Sequence, residues 1–99
     1  MAKFFLTNKA VDDLSKIWNY TYETWSEKQA DKYYSDLIFD CQELANTQSL
    51  GASYLEISIE IFGFKSGKHI IFYRKINVEE IEIVRILHSS MDLTNRIKE

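Results

Sequence analysis

Lys68 to Met91 reads K-H-I-I-F-Y-R-K-I-N-V-E-E-I-E-I-V-R-I-L-H-S-S-M, and no other stretch restricts the fold as much. Two segments rich in β-branched residues, His69 to Ile76 and Ile81 to His88, flank the polar turn Asn77-Val78-Glu79-Glu80. That pattern predicts an antiparallel hairpin at the middle of a sheet. Apolar residues fall at consecutive positions, Ile70-Ile71-Phe72 and Ile83-Val84, so both faces of this hairpin should be at least partly covered. The remaining elements must supply the cover.

Upstream, two helices fit that role. Phe4-Phe5-Leu6 reads as a short first strand near an edge, with Thr7 or Asn8 capping the helix after it. Ala10, Val11, Leu14, Ile17, Trp18, Tyr22 and Trp25 recur at helical spacing, and Asp12, Asp13, Lys16 and Glu23 fall off that stripe. Ser26 with Gln29 three residues on marks a second helix start, with Glu27 well placed in its first turn. Ala30, Tyr33, Tyr34, Leu37, Ile38, Cys41, Leu44 and Ala45 form the inner stripe of that helix. So short a joint folds the pair back as an αα-hairpin, a layer able to cover one sheet face.

Asn46 to Ser53 reads as a loop, and Leu55, Ile57, Ile59 and Ile61 alternating with Glu56, Ser58 and Glu60 predict a strand with one wet face. Gly63 to Gly67 would then turn the chain into the hairpin, and D-L-T-N-R-I-K-E after Met91 gives a short amphipathic tail that must dock to be helical. The expectation is one domain over residues 1–99 of α+β class. A two-helix antiparallel hairpin packs on a small, mainly antiparallel sheet, in the order β-α-α-β-β-β with a short C-terminal helix. Centring the hairpin turn on Val78 pairs Ile76 with Glu80, Arg74 with Glu82, Phe72 with Val84 and Ile70 with Ile86, and places that face under the helices. The other face carries His69, Ile71 and Tyr73 opposite Leu87, Arg85 and Ile83.

Composition narrows the function. Fifteen acids against twelve bases, a net charge of −3, argue against a surface that coats nucleic acid and favour a partner rich in Lys and Arg. The lone Cys41 excludes an internal disulfide and a cysteine-based zinc site, and its apolar position reads as a buried thiol. No apolar run reaches membrane-spanning length, and the start M-A-K-F-F-L-T-N-K is too soon charged for a signal peptide, so a cytoplasmic chain is expected. No glycine-rich phosphate loop, nucleophile elbow or metal-ligand spacing is found, so no cofactor or metal is expected.

Candidate chemistry clusters on the hairpin. Arg85 in a central strand needs a partner: a phosphate or carboxylate ligand, or a structural pair with Glu56 or Glu60. His69, Tyr73, Arg85 and His88, with Lys65 and Lys68, could form a ribonuclease site, since RNA cleavage needs a base, an acid and cations for the phosphorane. Trp18 and Trp25 read as core by their spacing, and Trp25 at the bend could instead be an exposed anchor for a partner. Glu56/Glu60 and Glu79/Glu80/Glu82 form a solvated face or a docking strip for basic partner residues.

Residues 10–18 (A-V-D-D-L-S-K-I-W), 20–33 (Y-T-Y-E-T-W-S-E-K-Q-A-D-K-Y), 44–46 (L-A-N) and 50–51 (L-G) lead to 67–74 (G-K-H-I-I-F-Y-R) and 83–92 (I-V-R-I-L-H-S-S-M-D). Together they closely resemble ParE-type toxins of the RelE/ParE toxin–antitoxin superfamily. The resemblance implies a toxin that binds DNA gyrase and blocks or poisons it without catalysis. A ParD-like antitoxin would neutralise it in a hetero-oligomer, with no membrane association and no direct sequence-specific contact with nucleic acid. The docking surface would comprise the mixed hairpin face with Tyr73 and Arg85, the anchor Trp25, the acidic Glu56 and Glu60, and the tail with Met91, Leu93 and Ile97. Two other outcomes stay open: a RelE-type ribosome-dependent mRNA endonuclease, or a non-toxic remnant that keeps only antitoxin binding. Ser49 and Ala52 stand where many relatives place Pro and Arg, and Glu56 and Glu60 where relatives often carry arginine. These departures imply a weak, retargeted or lost toxicity if those basic residues grip the target.

Overall fold

A computed structural model describes residues 1–98. Strand β1 (Lys3–Leu6) leads into helices α1 (Asn8–Thr24) and α2 (Glu27–Asn46). After a 3-10 turn at Gln48–Leu50 come β2 (Ala52–Ser53), β3 (Phe62–Ser66), β4 (His69–Asn77), β5 (Glu80–His88) and α3 (Leu93–Lys98). The five strands lie in the order β1-β5-β4-β3-β2. β1 runs parallel to β5, and every other pair is antiparallel. The expected α+β layering is present, with the β4–β5 hairpin at its centre. Among the described residues no helix is long and apolar enough to cross a membrane.

Both helix starts lie where local capping chemistry puts them. Thr7 Oγ1 accepts the N–H of Ala10 at 3.1 Å, and the same hydroxyl donates to the Val84 carbonyl at 2.7 Å, so one side chain caps α1 and extends the β1–β5 contact. Ser26 Oγ accepts the N–H of Gln29 and starts α2. Trp18 bridges the two helices on their outer side: its ring stacks on Tyr22, and its Nε1–H donates to Asp31 at 3.0 Å.

The hairpin is buried on both faces. Facing the helices, Ile71, Tyr73, Ile81, Ile83 and Ile86 pack with Ala10, Leu14, Leu37, Cys41, Leu44 and Ala45. Behind the sheet, Ile70, Phe72 and Leu87 pack with Ile61 and with the half-buried Tyr54, Ile57, Val84, Leu93 and Ile97. The tail thus finds the docking surface its shortness demands.

Five expectations are corrected. Leu55 to Ile61 is no strand: Tyr54 O accepts from Ile57 N and Ser58 N while Tyr54 N donates to Ile61 O, closing a looped turn. Pairing begins only at Phe62, so residues expected to turn (Gly63 to Ser66) form β3.

The hairpin faces are also exchanged. Arg74 does face Glu82, but the register shifts between Phe72 and Tyr73 and again between Lys75 and Asn77, so Phe72 faces Arg85 and Ile70 faces Leu87. Tyr73 and Ile71, not Phe72 and Ile70, lie under the helices. The exposed Arg74–Glu82 pair explains the choice, because helices laid over that face would have to bury two charges.

Trp25 is not core; it is 72% exposed, since as the C-cap residue its backbone has already left helical geometry. Asp13, placed off the apolar stripe, is buried.

Candidate functional site

A groove of about 800 Å³ opens between the bend of the helix pair and the end of the hairpin where β4 starts and β5 finishes. Tyr20 and Trp25 form part of its helical wall, Tyr33 comes from α2, and Lys68, His69, His88 and Met91 come from the hairpin end. Tyr20, Trp25 and Met91 are exposed aromatic or aliphatic surface. The groove therefore unites five residues singled out from the sequence (Trp25, Lys68, His69, His88, Met91).

His69 and His88 face each other across β4 and β5, with ring centroids 5.3 Å apart. Tyr33 Oη lies 2.6 Å from His69 Nδ1 and accepts the N–H of Lys68 at 3.0 Å. The turn admits this contact because Gly67 has φ +58°, and a Cβ there would stand 2.8 Å from Tyr33 Oη. His88 Nδ1 accepts the N–H of Ser90 at 3.1 Å and lies 2.7 Å from Ser90 Oγ. Burial pushes the His69 imidazole down to about 4; the neighbouring His88 acts in the same direction and Asp13 opposes it. Burial likewise raises the Tyr33 phenol, against the Lys68 N–H.

The other expected site residues lie elsewhere. Tyr73 is wholly buried; its Oη donates to Gln48 O at 2.7 Å and accepts from Gly51 N at 3.1 Å. Burial raises its phenol. It has no surface to offer a partner, which corrects its placement on a docking face.

Arg85 is buried too, so it also leaves that face. Its Nε and Nη2 donate to Asp13 at 2.8 and 3.0 Å, and its Nη1 donates to the Arg96 carbonyl at 2.6 Å. The structural reading of Arg85 holds, with Asp13 in place of Glu56 or Glu60. Glu60 lies 3.9 Å from Arg74 instead. Glu56 and Glu60 are exposed on the looped turn, and neither lines the groove. Leu93 and Ile97 are half-buried against Phe72's cluster, which leaves only part of each for a partner. Cys41 is fully buried, and burial followed by Asp40 pushes its thiol up to about 12, so it is no nucleophile at neutral pH.

Sequence reasoning missed Asp13 and Tyr33 as partners of site residues. Periodicity puts Tyr33 on an inner stripe without saying which strand residue it meets, and it puts Asp13 off the stripe altogether. Asp13 carried a hint: a buried arginine requires a carboxylate somewhere.

The geometry has close relatives. A family model described as "ParE toxin of type II toxin-antitoxin system, parDE" matches residues 4–93. Toxin ParE1 of Caulobacter vibrioides is 32% identical over 92 residues, 93% of this chain and 94% of that protein. Toxin ParE1 of Mycobacterium tuberculosis is 29% identical over 96 residues, 97% of this chain and 98% of the relative. Among solved structures, a chain of the chromosomal ParDE TA system from P. aeruginosa superposes with a TM-score of 0.75 at 21% identity, covering 89% of this chain and 96% of that one. A chain of the toxin–antitoxin complex RelBE2 from Mycobacterium tuberculosis superposes with a TM-score of 0.67 at 16% identity, covering 88% and 96%. With the family model spanning nearly all of its length, the chain belongs to the ParE toxin family of type II toxin–antitoxin systems, within the RelE/ParE superfamily.

Proposed function

We propose that this toxin acts by occupying a surface of DNA gyrase, without catalysis, and that a ParD-like antitoxin neutralises it in a hetero-oligomer by covering the groove. The observation that carries this reading is the groove itself, where Trp25, 72% exposed, stands with Tyr20 and Met91 around a cleft of about 800 Å³. Large aromatic side chains at the rim of a concave apolar surface are the usual anchors of a protein interface. Two of the four residues a nuclease reading needs, Tyr73 and Arg85, are buried and occupied by internal hydrogen bonds, which favours docking over chemistry. A protein that acts on gyrase works in the cytoplasm, beside the DNA.

A second reading has one observation in its favour: His69 and His88 adjoin Lys68 in an open groove, and imidazoles can serve as acid and base. Expression alone in bacteria separates the two. Docking on gyrase produces filamentation and a DNA-damage response, with transcripts left intact, that co-expression with the antitoxin reverses. A ribosome-dependent nuclease instead produces rapid translation arrest with cut transcripts, lost in His88→Ala. A complex formed with the antitoxin but no growth defect on expression contradicts both and leaves the antitoxin-binding module alone.

A further inference from the structure

The groove is the opposite in charge to the chain that contains it. Acids outnumber Lys and Arg by 15 to 12 overall, yet no Asp or Glu lines the groove, where Lys16, Lys68, His69 and His88 all do. Lys16 is paired with Asp12 at 3.1 Å. The Lys68 ammonium has no ion pair among the described residues.

Hydrogen bonding fixes where each neutral imidazole keeps its proton. The Ser90 N–H points at His88 Nδ1, so that nitrogen presents its lone pair and Nε2 carries the hydrogen. At His69 the Tyr33 oxygen accepts the Lys68 N–H, and we assign the phenol, a stronger acid than a neutral imidazole N–H, as the donor to Nδ1 at 2.6 Å. With that assignment His69 also holds its proton on Nε2. Neither Nε2–H has an acceptor among the described residues, and no buried side-chain N or O atom there lacks a partner, so both N–H groups reach solvent. A metal-binding imidazole has the reverse arrangement, with its lone pair toward the ion and its other N–H held by a second group. Two solvent-reaching N–H donors lining the same groove as the Lys68 ammonium instead suit an anion that accepts hydrogen bonds on two oxygens.

We propose that Lys68, His69 and His88 form a carboxylate socket, and that it receives an Asp or Glu side chain carried on an apolar segment of a partner protein. The proposal rests on the reading of the groove as a docking site and specifies the chemistry of what docks. It reverses the partner charge that the whole-chain balance suggests, because the local lining, not the total, faces the ligand. Ile17, Tyr20, Trp25 and Met91 account for the apolar part of the segment. They also argue against an RNA strand, whose phosphates would need a row of cations where the groove offers aromatic and aliphatic wall.

Minimal probes test this on the purified chain: 3-phenylpropionate, its amide 3-phenylpropanamide and 3-phenylpropylamine, titrated while imidazole and backbone ¹H–¹⁵N shifts are followed by NMR. The expected result is that the acid binds roughly tenfold more tightly than the amide, as charge-assisted bonds exceed neutral ones, and more tightly than the amine. The preference should centre on the His69 and His88 Nε2–H resonances and shrink in Lys68→Ala and in His88→Phe. Lys68 is exposed, so its variant keeps the test valid should the histidine variant misfold. Equal binding of acid and amide in the groove would leave the docking reading standing and overturn the socket. An amine preference, shifts confined to other regions, no binding by the acid, or the same resonances responding to a single-stranded RNA but not to the acid would each overturn it as well.

Discussion

Arg85 on β5 and Asp13 on α1, 72 positions apart, are joined by two hydrogen bonds of 2.8 and 3.0 Å with almost no solvent around them. The pair lies just beyond the last β1–β5 register position, Leu6 opposite Ile83, where β5 loses its neighbour. Asp13 Oδ2 also accepts the Ile86 N–H at 3.0 Å, so a helix carboxylate takes over the strand edge that β1 leaves open. Arg85 in turn holds the Arg96 carbonyl of α3. One ion pair thus ties both covering layers to the central strand.

Removing one partner strands the other charge. Asp13→Ala is expected to destabilise the protein by about 3–5 kcal/mol, and Arg85→Ala by a similar amount, in urea unfolding. Replacing both together with Leu and Met should recover much of the loss, because neither charge is then left buried alone. A single Asp13→Ala within about 1 kcal/mol of the parent would contradict this role for the pair.

The pair also shows what was legible in the sequence and what was not. Thr7 and Ser26 were readable as helix caps, because capping is settled within four residues. The β4–β5 hairpin was readable because its apolar runs and polar turn adjoin. Asp13 was not, since a charge at an off-stripe position looks solvated until the fold brings Arg85 to it. Leu55, Ile57, Ile59 and Ile61 alternate as a strand would, but only pairing makes a strand; Leu55 and Ile59 are exposed, and the chain closes on itself through Tyr54. The face exchange in the hairpin has the same origin: which side of a strand the helices choose depends on where Arg74 and Glu82 can stay wet, and the shift at Phe72/Tyr73 then moves Arg85 opposite Phe72. Of the groove, Trp25, Lys68, His69, His88 and Met91 could be singled out from the sequence, but Tyr33 as a partner of His69 and the turn geometry that orders the imidazoles could not.

His69 should leave a mark on the pH dependence of stability. Its folded-state value, about 4, lies below its ordinary 6.5, so the unfolded chain takes up the proton first as pH falls. Stability is therefore unaffected by this group above about 6.5 and is lost as pH drops from there toward about 4. NMR titration of the ring should show a midpoint near 4, and His69→Gln should lose less stability than the parent between pH 6.5 and 4.5. A midpoint near the ordinary value would rule out the burial described for this imidazole.

The Tyr73 ring leaves no room for a side chain at Gly51: an added Cβ would overlap Oη and the adjoining ring carbons. Gly51→Ala must displace the ring or break its bonds to Gln48 O and Gly51 N. The expected cost is about 1–3 kcal/mol by overpacking and lost hydrogen bonding, read as a lower urea midpoint with an unchanged slope. A variant as stable as the parent would show that Tyr73 is held more loosely than its contacts indicate.

Trp25 separates stability from binding. Because its side chain is largely in solvent, Trp25→Ala should change unfolding free energy by less than about 0.5 kcal/mol. As a rim anchor, its loss should weaken antitoxin binding by roughly 30-fold or more, measured by calorimetry on the purified pair. Unchanged affinity would place the interface away from this groove.

Action by occupancy is tested most directly in a purified gyrase supercoiling assay with the chain added to saturation. The account predicts that supercoiling falls in proportion to gyrase bound, that equimolar antitoxin restores it, and that the toxin is not consumed or turned over. Supercoiling that stays unchanged at saturation, or RNA cleaved with multiple turnovers per molecule by the groove histidines, would contradict it.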